Sequence, residues 1–422
     1  MNCTELSNKK VLIYDLGLGT ELALKMGEKF GQVLYYVPWA DAFPKSEKSL
    51  IGDGLQDYNV TRIQSFWDYV DHVDGIYFFD TYCCDIVEFL KDKGYPVFGG
   101  GIAEKLETDR PFGRRIQEQS GLPTQETATI TGLDNLVSYL ENKTDKFIKL
   151  NGFRGDLETF YYKDKESNKL HFNVMRNIMG AKMGDVQFVV EDKIDGIEPG
   201  YDGLVSNGQY PDKGLFAYEL KGRGYIAKLM AHADIPAPVL KVNEALASWF
   251  AENKVKSLFS TEVMVDKKND GYLIDPTIRA GMPCPTAVEM EIITNFPELL
   301  WGALQGNIPV VESKYKYGAG VGLDSEWATD HWLEVEVEPS VRPFVKFRRM
   351  MKKDKQYYAL PGFSSICSVI GLGNTIDDAI AQLKENVAQV KGFELDNDCG
   401  GIDKAIEEAK IGDEQYGMNF FK

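Results

Sequence analysis

Between residues 10 and 100, short runs of consecutive apolar residues alternate with segments whose apolar positions recur every three or four residues. "KKVLIYDLG", "QVLYYVPW", "DGIYFFD" and "YPVFGG" have the first pattern and are expected strands. "TELALKMGEKFG", "VTRIQSFWDYVDHV" and "YCCDIVEFLKDKG" have the second and are expected helices. Strand–helix–strand order with apolar strands predicts a parallel sheet covered by helices. Asp109 and Gly121 bracket a further helix at about 109–120, and "KFIKL" (146–150) and "VQFVVEDKIDG" (186–196) read as strands. From residue 260 the pattern turns antiparallel. "STEVMVDKKNDGYLIDPTIR" is two strands joined at Asn269–Asp270–Gly271. A helix at 287–304, interrupted near Pro297, follows, then strands around 332–348 and 363–370. The last strong pattern is a helix capped by Thr375 and ended by Gly392, with Ala379, Ile380, Leu383, Val387 and Val390 on one face.

At 422 residues the chain is long enough for two to four packed units. The elements suggest an N-terminal parallel-sheet unit (1–103), a two-lobed middle (104–325, with a small lobe at about 125–195) and a small C-terminal α+β unit (326–422). The expected class is α/β, with α+β character in the middle. No apolar stretch reaches the length of a membrane span, and the N-terminus lacks the apolar core of a secretory signal, so a cytoplasmic protein is expected. The net charge of −17 opposes nucleic acid and anionic membranes on average. Six cysteines without a CxxC pair, and four scattered histidines, give no disulfide framework, zinc site or histidine base. The turn "GLGT" (17–20) lacks the third glycine of a dinucleotide fingerprint, since Leu22 stands there.

The hairpin carries the chemistry. Glu262 is on its first strand and Asp275 lies opposite on its second, while residues 275, 277 and 279 share one face by alternation. That face holds two carboxylates, the Thr277 hydroxyl and Arg279. Converging carboxylates repel unless a cation joins them, and oxygen ligands of this kind suit magnesium with phosphate. An arginine beside them suits a phosphate or a developing oxyanion. A polar, solvated hairpin face with Arg279 paired to Asp275 is the other reading of these residues.

Acid, acid and arginine at this spacing resemble the metal-binding hairpin of the ATP-grasp ligases, with Thr277 where that family usually has Asn. "YPVFGGGIAEKLETDRPFGRRIQEQSGLPT" (95–124) is similar to the phosphoribosylamine–glycine ligase branch, as is the C-terminal "GLGNTIDDAIAQLKENVAQVKG". The resemblance implies a pre-ATP-grasp domain, an ATP-grasp domain and a C-terminal domain in the order given above. It implies ATP and Mg2+ as cofactors, with Mn2+ as an alternative, and metal ligands Glu262, Asp275 and Thr277. Arg110 and Lys149 would hold phosphates, and Arg154 in "NGFRGDLETF" would help close the loop over them. Glu191 would accept from the adenine amino group, the backbone at Lys193–Ile194 would read the ring edge, and Glu198 would hold the ribose. Arg279 would stabilise the transferring phosphoryl group.

What the resemblance implies in function is a ligase that activates a carboxylate as an acyl phosphate and joins it to an amine. Small-molecule carboxylate and amine partners follow, with a homodimer left open. The branch's Gly-Gly-Met-Gly and Phe-Gly-Asp-Pro-Glu segments are missing, so the substrate stays unnamed. Glu219, Lys221, Arg223 and Lys228 are the charges expected near it. The basic, aromatic segment "FVKFRRMMKKDKQYY" (344–358) raises a second reading, a ligase acting on a polymer or carrier-bound acceptor. A nucleotide-binding protein without turnover is the third.

Overall fold

The computed structural model describes residues 3–17, 19–38, 51–151, 159–220 and 223–422. Strands β1 (Lys10–Tyr14), β2 (Gln32–Tyr36), β3 (Val60–Arg62), β4 (Gly75–Phe78) and β5 (Val97–Phe98) form a parallel sheet in the order β3-β2-β1-β4-β5. The order in which strands are added reverses between β1 and β4, which makes a crevice at the carboxyl ends of those two parallel strands. The helices Thr20–Gly27 and Cys84–Asp92 cover the faces. Residues 60–73 are not the expected helix. Val60–Arg62 pair with Val33–Tyr35, and Ile63, Phe66 and Val70 then plug one face of the sheet beside Leu12, Leu34 and Ile76. Their three- and four-residue spacing reflects packing under the sheet rather than a helical stripe.

The small lobe is the antiparallel sheet β6 (Thr127–Thr131), β7 (Lys146–Leu150), β8 (Thr159–Tyr162) and β9 (Gln187–Asp192), ordered β6-β9-β7-β8. Two helices, Leu133–Leu140 and Lys169–Met179, close its own apolar core around Leu136, Ile148, Phe172 and Phe188.

Antiparallel pairing begins with the small lobe at 127, well before the expected 260, and the large sheet begins at 196. β10 (Gly196–Ile197), β11 (Pro199–Ser206), β12 (Lys213–Leu220), β13 (Gly224–Ala231), β14 (Lys256–Asp266), β15 (Gly271–Thr277) and β16 (Tyr317–Asp324) build most of a nine-stranded sheet. Helices Ala237–Glu252, Pro285–Ile292 and Phe296–Gln305 pack on it, the last two separated where the sequence showed a break. Beyond residue 325 come β17 (Leu333–Val337), β18 (Val345–Phe347), β19 (Met350–Lys353), β20 (Gln356–Ala359), β21 (Ser365–Gly373) and β22 (Val390–Gly392). β21 and β18 extend the large sheet from β16, so that sheet is continuous across 325, while β19-β20-β17-β22 form a sheet of their own. The helix capped by Thr375 stops at Val387, because Val390–Gly392 pair with Val335–Val337. A final long helix, Gly400–Ile411, lies against β12 and β13.

Candidate active site

The β14–β15 hairpin is the floor. Asp266 Oδ1 accepts from the Lys268 and Asp270 amides at 2.8 and 3.0 Å, and Asn269 takes φ 67°, which closes the turn. That turn fixes the register, and Glu262 stands directly opposite Asp275. Next to the pair the register shifts: Val263 opposes Leu273, which leaves Ile274 as the extra residue of a bulge. The Ile274 carbonyl, out of the ladder, accepts from Lys149 Nζ at 2.6 Å. Thr277 opposes Ser260 and is 9% exposed.

Above the floor lie two adjoining cavities. The outer one, about 390 Å³, runs between the hairpin and the small lobe. Phe147, Ile194, Leu220, Met264 and Ile274 give it apolar walls, and its polar lining includes Lys149, Glu191, Glu198, Glu219, Glu262 and Asp275. Lys149 Nζ is 3.2 Å from Glu191 Oε2, and Arg114 pairs with Glu191 Oε1. Burial alone would raise the Glu191 carboxyl, but the Lys149 and Arg114 charges overcome it and hold the group below the usual carboxylate range. Both Glu191 oxygens are thereby engaged by cations, so Glu191 anchors Lys149 rather than presenting an open acceptor to a base.

The inner cavity, about 200 Å³, shares Glu198, Glu219, Glu262 and Asp275 with the outer one and continues to Glu107, Asp202, Tyr225, Thr277 and Arg279. Arg279 donates through Nε and Nη2 to Glu107 Oε1 at 3.1 and 2.9 Å, and through Nη1 to the Ala280 carbonyl at 3.0 Å. Burial would lower the Arg279 guanidinium; Glu107 and Asp80 outweigh that and raise it, so it stays charged. The Ala280 amide donates to the Phe79 carbonyl just past β4, which sets Arg279 at the carboxyl edge of the parallel sheet.

The other expected residues divide. Arg110 starts the helix Arg110–Gln119, capped by Asp109; its amide bonds Asn151 Oδ1 at 2.9 Å and its Nη1 is 3.9 Å from Asp275 Oδ1. Ile194 lines the outer cavity. Lys193 is exposed, with its ammonium on Asp195 and its amide donating to the Asp145 carbonyl at 3.3 Å, so that amide does not face the cavity. Glu198 is held by its own amide, which donates to Glu408 Oε1 at 2.7 Å. Glu219 lines both cavities. Arg223 sits exposed on the β12–β13 turn against Gly401, and Lys228 is buried with Nζ on the Asn419 and Lys422 carbonyls at 2.8 and 2.6 Å. The cavities therefore do not gather these two, because the turn and the strand face away. Arg154 and Lys221 lie outside the described residues. In the basic segment 344–358, Lys346 bonds Glu291 at 2.7 Å, Arg349 the Pro361 carbonyl at 3.1 Å and Lys352 the exposed Asp57 at 3.0 Å, while Lys353 and Lys355 are exposed.

Sequence reasoning missed Glu107, Arg114, Asp202 and Glu408. Arg114 had a signal, since it lies four residues after Arg110 and so on the same helix face. The others are joined to their partners only by the tertiary fold.

Among the described residues no group of three or more His, Cys, Asp or Glu side chains is arranged to hold an ion by itself. Two opposed carboxylates, with phosphate and water completing the shell, are what magnesium takes in a phosphate site. The pair fits that ion and does not fit a cation caged by protein alone.

No protein-family model matches the chain, and no curated protein matches it by sequence. Solved structures do match. Phosphoribosylamine–glycine ligase from Thermotoga maritima superposes with a TM-score of 0.70 at 15% identity, covering 92% of this chain and 98% of that one. The chain has the ATP-grasp fold. The same ATP-grasp architecture is matched in the biotin carboxylase domain of 2-oxoglutarate carboxylase from Hydrogenobacter thermophilus, solved with MgADP and bicarbonate (TM-score 0.67, 13% identity, 96% and 98% coverage). An L-amino acid ligase from Bacillus licheniformis matches at a TM-score of 0.60 and 16% identity, with 92% and 99% coverage. At such identities the ATP-grasp likeness is one of fold. Among the described residues no helix is long and apolar enough to cross a membrane.

Proposed function

We propose that the protein is an ATP-dependent ligase that activates a carboxylate as an acyl phosphate and joins it to an amine, releasing ADP and phosphate. The observation that carries this reading is the opposed Glu262–Asp275 pair at the seam of two cavities, one reached by Lys149 and the other by Arg279. In this reading the outer cavity takes the nucleotide, its base against Ile194, Met264 and Ile274 and its sugar beside Glu198. Lys149 and Arg110 contact the phosphates, and Arg279 the oxygen that gains charge as the phosphoryl group moves. Glu262 and Asp275, with Thr277 beside them, would hold Mg2+, which offsets phosphate charge when bound. The inner cavity takes the acid and then the amine, away from bulk water.

The reaction class rests on the fold and this arrangement, and the substrates are left open. The polymer-acceptor reading has less behind it, since Lys346 and Arg349 are engaged within the protein. The test is release of ADP and phosphate from ATP and Mg2+ across pools of carboxylates and amines, with Asp275→Asn as control. Turnover in one pool, lost in the variant, is expected. AMP and pyrophosphate as products would overturn the acyl-phosphate route, and ATP binding without ADP from any pool would leave a binding protein.

A further inference from the structure

An amine that attacks an acyl phosphate must lose a proton, and the inner cavity offers one group placed to take it. Of the carboxylates there, Glu107 holds Arg279, Glu262 and Asp275 form the opposed pair, and Glu198 and Glu219 sit where the cavities meet. Asp202 belongs to the inner cavity alone. It lies on β11 opposite Ser260, two residues along from the Gly200–Glu262 pairing, and so on the same face of the sheet as Glu262. Tyr225 Oη donates to Asp202 Oδ2 at 2.7 Å from β13, and the Ser260 hydroxyl bonds it from β14. Behind it the helix Pro285–Ile292 brings up Glu289, 2% exposed, whose Oε1 has no hydrogen-bond partner among the described residues.

Resting on the ligase reading, we propose that Asp202 is the base that accepts the proton of the attacking amine. The nitrogen lone pair forms the C–N bond, the bond from carbon to the phosphate oxygen breaks, and phosphate leaves with that electron pair. Asp202 first takes the proton of the ammonium, which frees the nitrogen lone pair, and the second proton, shed as the C–N bond forms, leaves on the phosphate. Tyr225 and Ser260 aim the carboxylate, and Glu289 keeps its own proton. Burial, with the Asp202 charge added, pushes Glu289 up to about 8, and burial also raises Asp202, which makes it a better base than an exposed carboxylate. Glu289 Oε1 has no donor among the described residues while Asp202 has two, so of these two buried carboxyls the charge rests on Asp202.

The experiment compares acceptors. Ammonium and glycine are protonated at neutral pH and need a base, whereas hydroxylamine is already neutral. Wild type and Asp202→Asn are assayed for ADP and product with each acceptor, using amino acids, dicarboxylates, hydroxy acids and bicarbonate as donors. The expected result is a loss of about 10²-fold or more with ammonium or glycine in Asp202→Asn and a change of a few-fold at most with hydroxylamine. Equal losses with all acceptors, or no loss with any, would overturn the assignment. A wild type that forms no ADP with any donor would overturn the ligase reading itself, a distinct failure. Should Asp202→Asn not fold, Asp202→Glu reads the same contrast: a loss with glycine that hydroxylamine does not share supports the base, and equal losses with both acceptors overturn it.

Discussion

Lys149 Nζ lies 2.6 Å from the Ile274 carbonyl and so ties the small lobe to the bulged strand of the hairpin. The same ammonium is 3.2 Å from Glu191, so one side chain couples the wall of the outer cavity to its floor. Lys149→Met should weaken ATP binding by tenfold or more, about 1.4 kcal/mol, and lower thermal stability, since Glu191 is left buried with Arg114 as its cation. Titration calorimetry with ATP and a melting curve read the two effects separately.

Removing either member of the opposed carboxylate pair should abolish the use of metal. Glu262→Gln and Asp275→Asn are each expected to cut ADP formation by about 10²-fold or more, as loss of several kcal/mol of charge stabilisation requires. Melting curves with and without Mg2+ and ADP give a second readout: wild type gains stability from the pair of ligands together, and the variants gain less.

Glu107 is buried and the Arg279 side chain only 15% exposed, so their pair is largely shielded from water. Arg279→Ala should destabilise the fold by about 3–5 kcal/mol, because it strands a buried carboxylate. Arg279→Ala/Glu107→Gln should recover part of that loss without recovering turnover. Urea unfolding of the single and double variants checks the first claim, and ADP release the second.

Glu289 gives stability a pH dependence of known sign. Its carboxyl is pushed from the ordinary 4.5 up to about 8 by burial and by Asp202. Across that window the folded protein keeps a proton that the unfolded chain releases, so this group's contribution to stability is full below the unfolded value and falls as pH rises. Glu289→Gln should therefore gain on wild type as pH rises, with little gap at about pH 5 and the widest at about pH 8. Melting temperatures of both proteins across that range test it, and a gap that narrowed with rising pH would count against the assignment.

The hairpin was legible because its information is local: a turn signal at 269–271 and alternation on either side are enough to oppose Glu262 and Asp275. The bulge at Ile274 was not legible, since no residue type in "GYLIDPT" demands it. The Glu107–Arg279 pair spans 172 residues and the Arg114–Glu191 pair 77, separations at which alternation and capping carry no information. The apolar spacing of 60–73 misled for a different reason: residues plugging a sheet face can repeat every three or four positions without being helical. Lys228 looked like a substrate contact because a lysine in a strand has no local sign of which face it takes. In the fold it holds backbone carbonyls at 419 and 422 instead.

The large sheet is assembled from distant parts of the chain. β13 gains its far neighbour only with residues 317–324, and β16 only with 365–373. The Glu408 carboxylate that fixes the Glu198 amide comes 210 residues after it. On a ribosome adding about 5–20 residues per second, Glu198 waits about 10–40 s for that partner. Until residues 317–324 emerge, the growing polypeptide presents an unpaired apolar edge at β13, open to pairing with another nascent chain. Chaperone dependence during synthesis, rather than low stability once folded, is where this architecture is most exposed.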